Sequence, residues 1–279
     1  MVISIPNKLL EVYMSAIKIA HLSDIHYGPK ENSAVSTMLR EKGVYVEKLL
    51  PVCLENLKVR KPDIILITGD LTHDGDAEDF QYLKNLFEEA LPGTPIVATI
   101  GNHDLRAPFR EGFLNEPASN LPYYTSFIQN GYQFISLDSS YEIGLQGTFT
   151  DEAMDFLEEK LSNTEVKGNF LLMHHPIMES ARHLRFLMNN RLEKILKSGA
   201  ITGIFNGHVH GCYTSTVFGV PQFTGESLKT DFDILPDRLS YNDKSGYQIV
   251  TFFENGDWHA ERFLLNPTPH IFFEKMYKK

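Results

Sequence analysis

Five short segments carry side chains that ligate metal ions: Ser23-Asp24-Ile25-His26, Gly69-Asp70, Gly101-Asn102-His103-Asp104, His174-His175-Pro176 and Gly207-His208-Val209-His210. Each follows a short apolar run of the kind that forms a strand buried on both faces. In open α/β sheets, ligands bind at the carboxyl ends of the strands. Loops converging there would gather Asp24, His26, Asp70, Asn102, His174, His208 and His210. These oxygen and nitrogen donors suffice for two divalent ions if one carboxylate bridges. Imidazole and carboxylate suit Mn, Fe or Zn, and the absence of thiolate argues against a closed structural site. The amide oxygen of Asn102 is neutral and leaves its ion more electrophilic than a further carboxylate would. Glycines 69, 101 and 207 are expected to let the backbone turn sharply beside the ligands. Two ions about 3.5–4 Å apart clamp the attacking and leaving oxygens of a phosphoryl displacement.

Taken singly, each segment is weak, since Asp-x-His is commonly a surface turn and a lone His commonly a satisfied core or surface residue. Their joint order, each after a strand, carries the argument. Strands are predicted at 16–22, 63–68 and 95–100, then at 132–137, 169–173, 201–205, 213–218, 221–224, 247–253 and 258–264. Helical spacing joins Val46, Leu49, Leu50, Cys53, Leu54 and Leu57, with Pro51 on the other side expected to kink the helix. Further helices are predicted through Phe80, Leu83, Leu86, Phe87 and Ala90, over 151–161 with Thr150 as N-cap, and from Leu184 to Leu196 before Gly199. The first half alternates strand and helix, and the last third is mostly strand. No internal repeat and no Pro-, Gly- or Ser-rich linker breaks the chain, so one domain over residues 14–279 is expected. Residues 1–13, broken by Pro6, Lys8 and Glu11 and followed by no small-residue cleavage site, do not read as a signal peptide; an extension, a short helix and a translation start at Met14 that leaves them out all stand open.

The 279 residues carry 42% hydrophobic and 22% charged side chains, which excludes disorder and low-complexity scaffolds. A chain of this length buries roughly three-quarters of its unfolded surface, so a metal is wanted for chemistry rather than for holding the fold. Net charge is −10, and the only basic cluster is Lys275, Lys278 and Lys279, which argues against a nucleic-acid duplex as partner. That acidity would repel an anionic substrate unless bound cations reverse the field locally. Two cysteines are too few for a disulfide framework and fit a reducing cytoplasm. No apolar run reaches the roughly 18 residues of a membrane span.

The ordered blocks D-x-H, G-D, G-N-H-D, H and G-H-x-H resemble the calcineurin-like metallophosphoesterase superfamily, and this chain matches every block. Gly69-Asp70-Leu71-Thr72-His73-Asp74-Gly75, Leu137-Asp138-Ser139-Ser140 and His174-His175-Pro176 further resemble its class III cyclic-nucleotide phosphodiesterase branch. The resemblance implies an α/β fold, a four-layer αββα sandwich of two mixed sheets flanked by helices, with a dinuclear site on the loops at one edge. Asp24, His26 and His210 would hold the first ion, Asn102, His174 and His208 the second, and Asp70 would bridge. His103 would face the leaving-group oxygen, with Asp104 orienting it. The ligand set implies a hydroxide bridging the two ions as nucleophile.

The reading is therefore a metal-dependent phosphodiesterase on a small or cyclic nucleotide or another small diester. A phosphomonoesterase and a nucleotide-diphospho-sugar or lipid-precursor pyrophosphatase are the alternatives among enzymes. Outside them stands a non-catalytic scaffold, which would tend to have lost ligands. Loop 105–124 holds Phe109, Phe113, Leu114, Leu121, Tyr123 and Tyr124, with packing as the default role for most and Arg106 and Arg110 as candidate phosphate contacts. His73 is a candidate for lining the pocket. His175 is expected to hydrogen-bond behind the ligands, and His21, His183, His259 and His270 to be structural or solvated. Cys53 reads as core. The polar stretch 226–246 is expected to form a pocket wall or a homodimer contact.

Overall fold

The structure is a computed structural model and describes residues 16–28, 34–43, 45–140, 145–179, 184–234, 237–266 and 270–276. Residues 1–13, His183, Lys278 and Lys279 lie outside the described residues.

Strands β1 (Ile17–Leu22), β2 (Ile64–Thr68) and β3 (Ile96–Thr99) run parallel, each nearly all aliphatic. β12 (Gly246–Phe252) joins β1 antiparallel and β13 (Trp258–Leu264) closes that edge, giving the order β13-β12-β1-β2-β3. The second sheet holds β4 (Tyr124–Gln129), β5 (Tyr132–Leu137), β6 (Gly168–Leu172), β7 (Gly203–Asn206), β8 (Tyr213–Val217) and β9 (Val220–Thr224) in the order β4-β5-β6-β7-β9-β8. Its inner four strands are parallel and its edges antiparallel.

Strand alternation splits each apolar run between two cores. Ile17, Ile19, Ile64, Leu66, Phe134, Phe170, Phe205, Phe223 and Phe252 fill the layer between the sheets. Ala20, Leu22, Ile65 and Ile67 face the other way, onto α2 (Val46–Arg60) and α3 (Ala77–Ala90). Ile135, Leu137, Leu171 and Ile204 do the same against α5 (Asp151–Leu161) and α6 (Asn190–Ser198). Burial on both faces is why these strands read as continuous hydrophobic runs, and the four layers are those of the αββα sandwich.

Local signals account for most element ends. Asp76 and Asp79 make a reciprocal capping box on α3, and Thr150 accepts from the Ala153 N–H at the start of α5. α2 continues through Pro51, which forgoes one ladder bond inside the helix. One expectation needs correction, and three segments hold elements that the sequence did not announce. α6 begins at Asn190, not at Leu184: the Asn189 side chain caps it, while the Phe186 and Leu187 N–H groups are taken by Pro176 and Gly147 carbonyls. Loop 105–124 contains a helix, α4 (Arg106–Phe109), running into a π turn (Arg110–Leu114), with Phe109 and Phe113 buried in the core. Part of 226–246 builds β10 (Asp231–Ile234) and β11 (Arg238–Asn242), which with β14 (Ile271–Met276) make a third sheet. α1 (Ala34–Glu41) was not foreseen either.

Phe170 is fully buried, with the rings of Tyr132, Phe134, Phe205 and Phe252 around it. Phe170→Ala should therefore destabilise the protein by about 3–5 kcal/mol. Val59→Ala, at a position 79% exposed, should stay within about 0.5 kcal/mol. Urea titration of both variants checks this.

Candidate metal centre

All five motif loops leave the carboxyl ends of strands, three from the first sheet (β1, β2, β3) and two from the second (β6, β7). They meet at one edge of the sandwich. Five of the residues there take left-handed backbone conformations: Asp24 (φ 49°), His26 (47°), Asp70 (49°), His208 (71°) and His210 (56°). Such strain in non-glycine residues collects at functional sites. Of the three motif glycines, only Gly69 (φ 90°) has the positive φ expected of a sharp turn. Gly101 and Gly207 are needed for space instead. A Cβ at Gly101 would overlap the Asp70 carboxylate, and one at Gly207 would overlap the Ser23 hydroxyl.

The donor atoms of the expected ligands form two groups, and a third set, of His26, His73 and His103, overlaps the first. Those of Asp24, His26 and His210 lie within 4.8 Å of one another, as do those of Asp70, His174 and His208. His26 Nε2 is 3.0 Å from His210 Nε2, and His174 Nε2 is 3.2 Å from His208 Nδ1. Imidazole nitrogens bind an ion at about 2.0–2.1 Å, so two of them at a right angle on one ion lie about 3 Å apart. The opposite nitrogens fix the tautomers. His174 Nδ1 faces the Thr68 carbonyl at 2.8 Å, His210 Nδ1 the Thr230 carbonyl at 2.8 Å and His208 Nε2 the Leu145 carbonyl at 2.9 Å. Each ring donates outward and turns a lone pair inward, the arrangement of a metal-binding histidine.

Asp70 Oδ2 stands between the groups, 3.5 Å from His26 Nε2 and 3.3 Å from His174 Nε2. Its other oxygen accepts from the His103 main-chain N–H at 2.8 Å. Asn102 Oδ1 is 3.1 Å from His174 Nε2, completing the second group. The seven expected ligands are thus brought together, and their donors fit two divalent ions.

Electrostatics agree. Burial lowers His208 to about 3 and His210 to about 4, and drives His26 well below its ordinary range, so these rings are neutral ligands at neutral pH. Burial pushes the Asp24 carboxyl up to about 7, with Asp70 adding to the effect. Burial opposes charge on His174 too, but the Asp70 carboxylate prevails and raises it to about 9. A divalent ion would replace the His174 proton and supply the counter-charge for the two carboxylates.

Asp104 does not grip the His103 ring as expected. Its carboxylate accepts from the N–H groups of Leu71 (3.1 Å), Thr72 (2.9 Å) and Gly101 (3.0 Å), and from the Thr72 hydroxyl (3.2 Å). These amides belong to loops after two different strands and have no ladder partner, so Asp104 ties the two loops together. His103 stacks on His73 instead, with ring centroids 4.2 Å apart. Arg106 Nε donates to Asp138 Oδ2 at 2.8 Å. Arg110 is committed to its own loop, through Glu116 and the Leu121 and Pro122 carbonyls. His175 Nδ1 meets Ser139 Oγ at 3.0 Å, behind the ligands as expected, and His21 is buried between Thr68 and Gln248. Sequence reasoning missed the Leu145 and Thr230 carbonyls behind the ligands; Phe232, in the stretch 226–246 expected to wall the pocket or to contact a second copy, has its ring 4.9 Å from that of His210.

The family model for calcineurin-like phosphoesterases matches residues 17–212, the stretch that contains all seven candidate ligands. The chain belongs to the calcineurin-like phosphoesterase family. It is 30% identical over 167 residues to a Rhodococcus erythropolis protein named "Probable cyclic nucleotide phosphodiesterase", covering 58% of this chain and 56% of that relative. The chain thus spans little more than half of that relative's length. A Synechococcus relative bearing the same description is 24% identical over 254 residues, covering 88% of this chain and 91% of its own. A dimetal phosphatase from Danio rerio shares the calcineurin-like fold, with TM-score 0.56 at 14% identity over 81% of this chain and 95% of that one. Divalent ions are the family's cofactor, and the two donor groups are where this member would hold them. No helix among the described residues is long and apolar enough to cross a membrane.

Asp104→Ala strands three buried N–H groups at about 1–3 kcal/mol each, so it should lower the melting temperature of the metal-free protein clearly. His103→Ala should leave it nearly unchanged. Differential scanning calorimetry of the two variants checks the contrast.

Proposed function

We propose that this chain hydrolyses small phosphodiesters, a cyclic nucleotide being the favoured substrate, with two divalent ions drawn from Mn, Fe and Zn. The observation that carries the proposal is Asp70 Oδ2, placed between two histidine-containing donor groups at 3.5 and 3.3 Å, as a bridging carboxylate requires. Asp24, His26 and His210 would hold the first ion, and Asn102, His174 and His208 the second. When bound, the ions supply a water acidified to near neutrality and neutralise charge on the phosphoryl group.

The protein's part is positioning and proton transfer. The bond from the His103 N–H to Asp70 fixes His103 at the rim of the cluster, where its half-buried ring can protonate the leaving alkoxide. Arg106, held by Asp138, is the cation we assign to the substrate's phosphate; Arg110 is not part of the proposal. The names of the relatives support a diester substrate, and the −10 charge supports a small molecule over a nucleic-acid duplex. We place residues 14–279 in one functional domain, because His210 rests on Thr230, beyond the segment that matches the family model. Two free cysteines suit a reducing cytoplasm.

Manganese-loaded protein should cleave bis-p-nitrophenyl phosphate faster than p-nitrophenyl phosphate, and Asp70→Ala should abolish both activities. A monoester preference would overturn the diesterase reading. His103→Ala should lower kcat by about a hundred- to ten-thousand-fold with two ions still bound. Asn102→Ala should weaken one ion selectively, as metal analysis after gel filtration would show.

A further inference from the structure

The four ligand histidines differ in what holds the nitrogen facing away from the ions. His174, His208 and His210 rest on main-chain carbonyls, of Thr68, Leu145 and Thr230. His26 is the exception, because its Nδ1 lies 3.3 Å from Nδ1 of another side chain, His73. We infer that His73 is a positioning residue for the first ion, acting through His26 and not on the substrate; the inference rests on the two-ion reading above.

The proton arrangement follows from geometry. His26 Nε2 points at His210 Nε2 (3.0 Å), Asp70 Oδ2 (3.5 Å) and Asp24 Oδ1 (3.9 Å), so its lone pair belongs to the ion and its hydrogen to Nδ1. That hydrogen is donated to His73 Nδ1, whose own hydrogen then sits on Nε2. His73 is held in place to receive it. Its main-chain N–H donates to the Tyr27 carbonyl at 3.0 Å, and its ring stacks on His103 at 26° between planes. An imidazole nitrogen is a more basic acceptor than a peptide carbonyl. A bond to it orients the His26 ring and increases electron density at Nε2, strengthening the bond to the ion. The first ion is therefore tuned by a replaceable side chain, whereas the second is tuned by main-chain carbonyls alone among these contacts. His73 was expected to line the substrate pocket; this geometry turns its Nδ1 edge to the metal ligand.

The test is competition of the full-length protein with a fluorescent chelator for Mn²⁺, resolving two sites, for wild type, His73→Phe and His73→Gln. His73→Phe should weaken one site by about 10- to 100-fold and leave the other unchanged. His73→Gln, whose amide oxygen accepts the same hydrogen, should restore most of the loss. Wild-type affinity at both sites in His73→Phe would overturn the inference, as would equal weakening of both sites or no rescue by Gln. A third equivalent of Mn²⁺ lost from His73→Phe, with the first two intact, would overturn it in favour of a separate histidine site. His26→Ala separates the two levels. If it still binds two ions tightly, the assignment of His26 to the first ion in the reading above has failed; if it loses one while His73→Phe keeps both, only the role of His73 has failed.

Discussion

Two carboxylates, Asp24 and Asp70, are buried within a few ångströms of four imidazoles, and the architecture around them exists to tolerate that crowding. Burying like charges is costly unless they are paired or coordinate a metal. Burial pushes Asp24 toward its neutral form, and the Asp70 carboxylate holds His174 toward its charged one. The rest of the site prevents escape by rotation. Carbonyls fix three rings, the Ser23 hydroxyl and the His208 N–H hold Asp24, and the His103 N–H holds Asp70. A rigid polar cluster whose lone pairs face one another is unfavourable as it stands and favourable around cations.

The strained backbone belongs to the same design. A non-glycine residue in the left-handed region costs about 1–3 kcal/mol where context enforces it. Here the enforcing context is a set of crossed loops. The N–H groups of Asp24, His26 and Tyr27 donate to the Gly69, Asp70 and Leu71 carbonyls, and Asp104 stitches the second loop to the third. The close approaches at Gly101 and Gly207 make this interleaving sterically feasible. Loop positions are thereby set by strands already locked in the sandwich, so precision at the centre derives from the aliphatic and aromatic layers behind it.

Legibility in the sequence followed the same division. Strands buried on both faces announce themselves as apolar runs, and the seven candidate ligands stand directly after them; the four layers came from the resemblance to the metallophosphoesterases, not from the runs themselves. The third sheet could not be read in either way. Its strands, DFDI, RLSYN and IFFEKM, are short, carry charges and show no clean alternation, and β14 pairs with β11 across a long sequence gap. Helix α6 was drawn too long because Leu184 and Leu187 continue its spacing, although the N–H groups of Phe186 and Leu187 serve another loop. The resemblance pairs Asp104 with His103 by motif, whereas the amides that its carboxylate holds lie 32 and 33 residues away and leave no mark in residue type.

The contacts that tune the ligands are the least legible, and physics explains why. A metal ligand must be one of a few residue types, so its identity is constrained and visible. The acceptor behind it need only offer an oxygen or a nitrogen in the right place, and any residue's carbonyl can do so. Leu145 and Thr230 serve His208 and His210 through their backbones, leaving no trace in residue type. His73 is informative because it departs from that pattern. A side chain was recruited where the other rings use peptide groups, which makes the support of the first ion, unlike that of the second, adjustable by point substitution. In the proposed two-ion centre, asymmetry between the ions would thus have a structural source one layer behind the ligands, where the donor set itself would give each ion two histidines and a share of the same carboxylate.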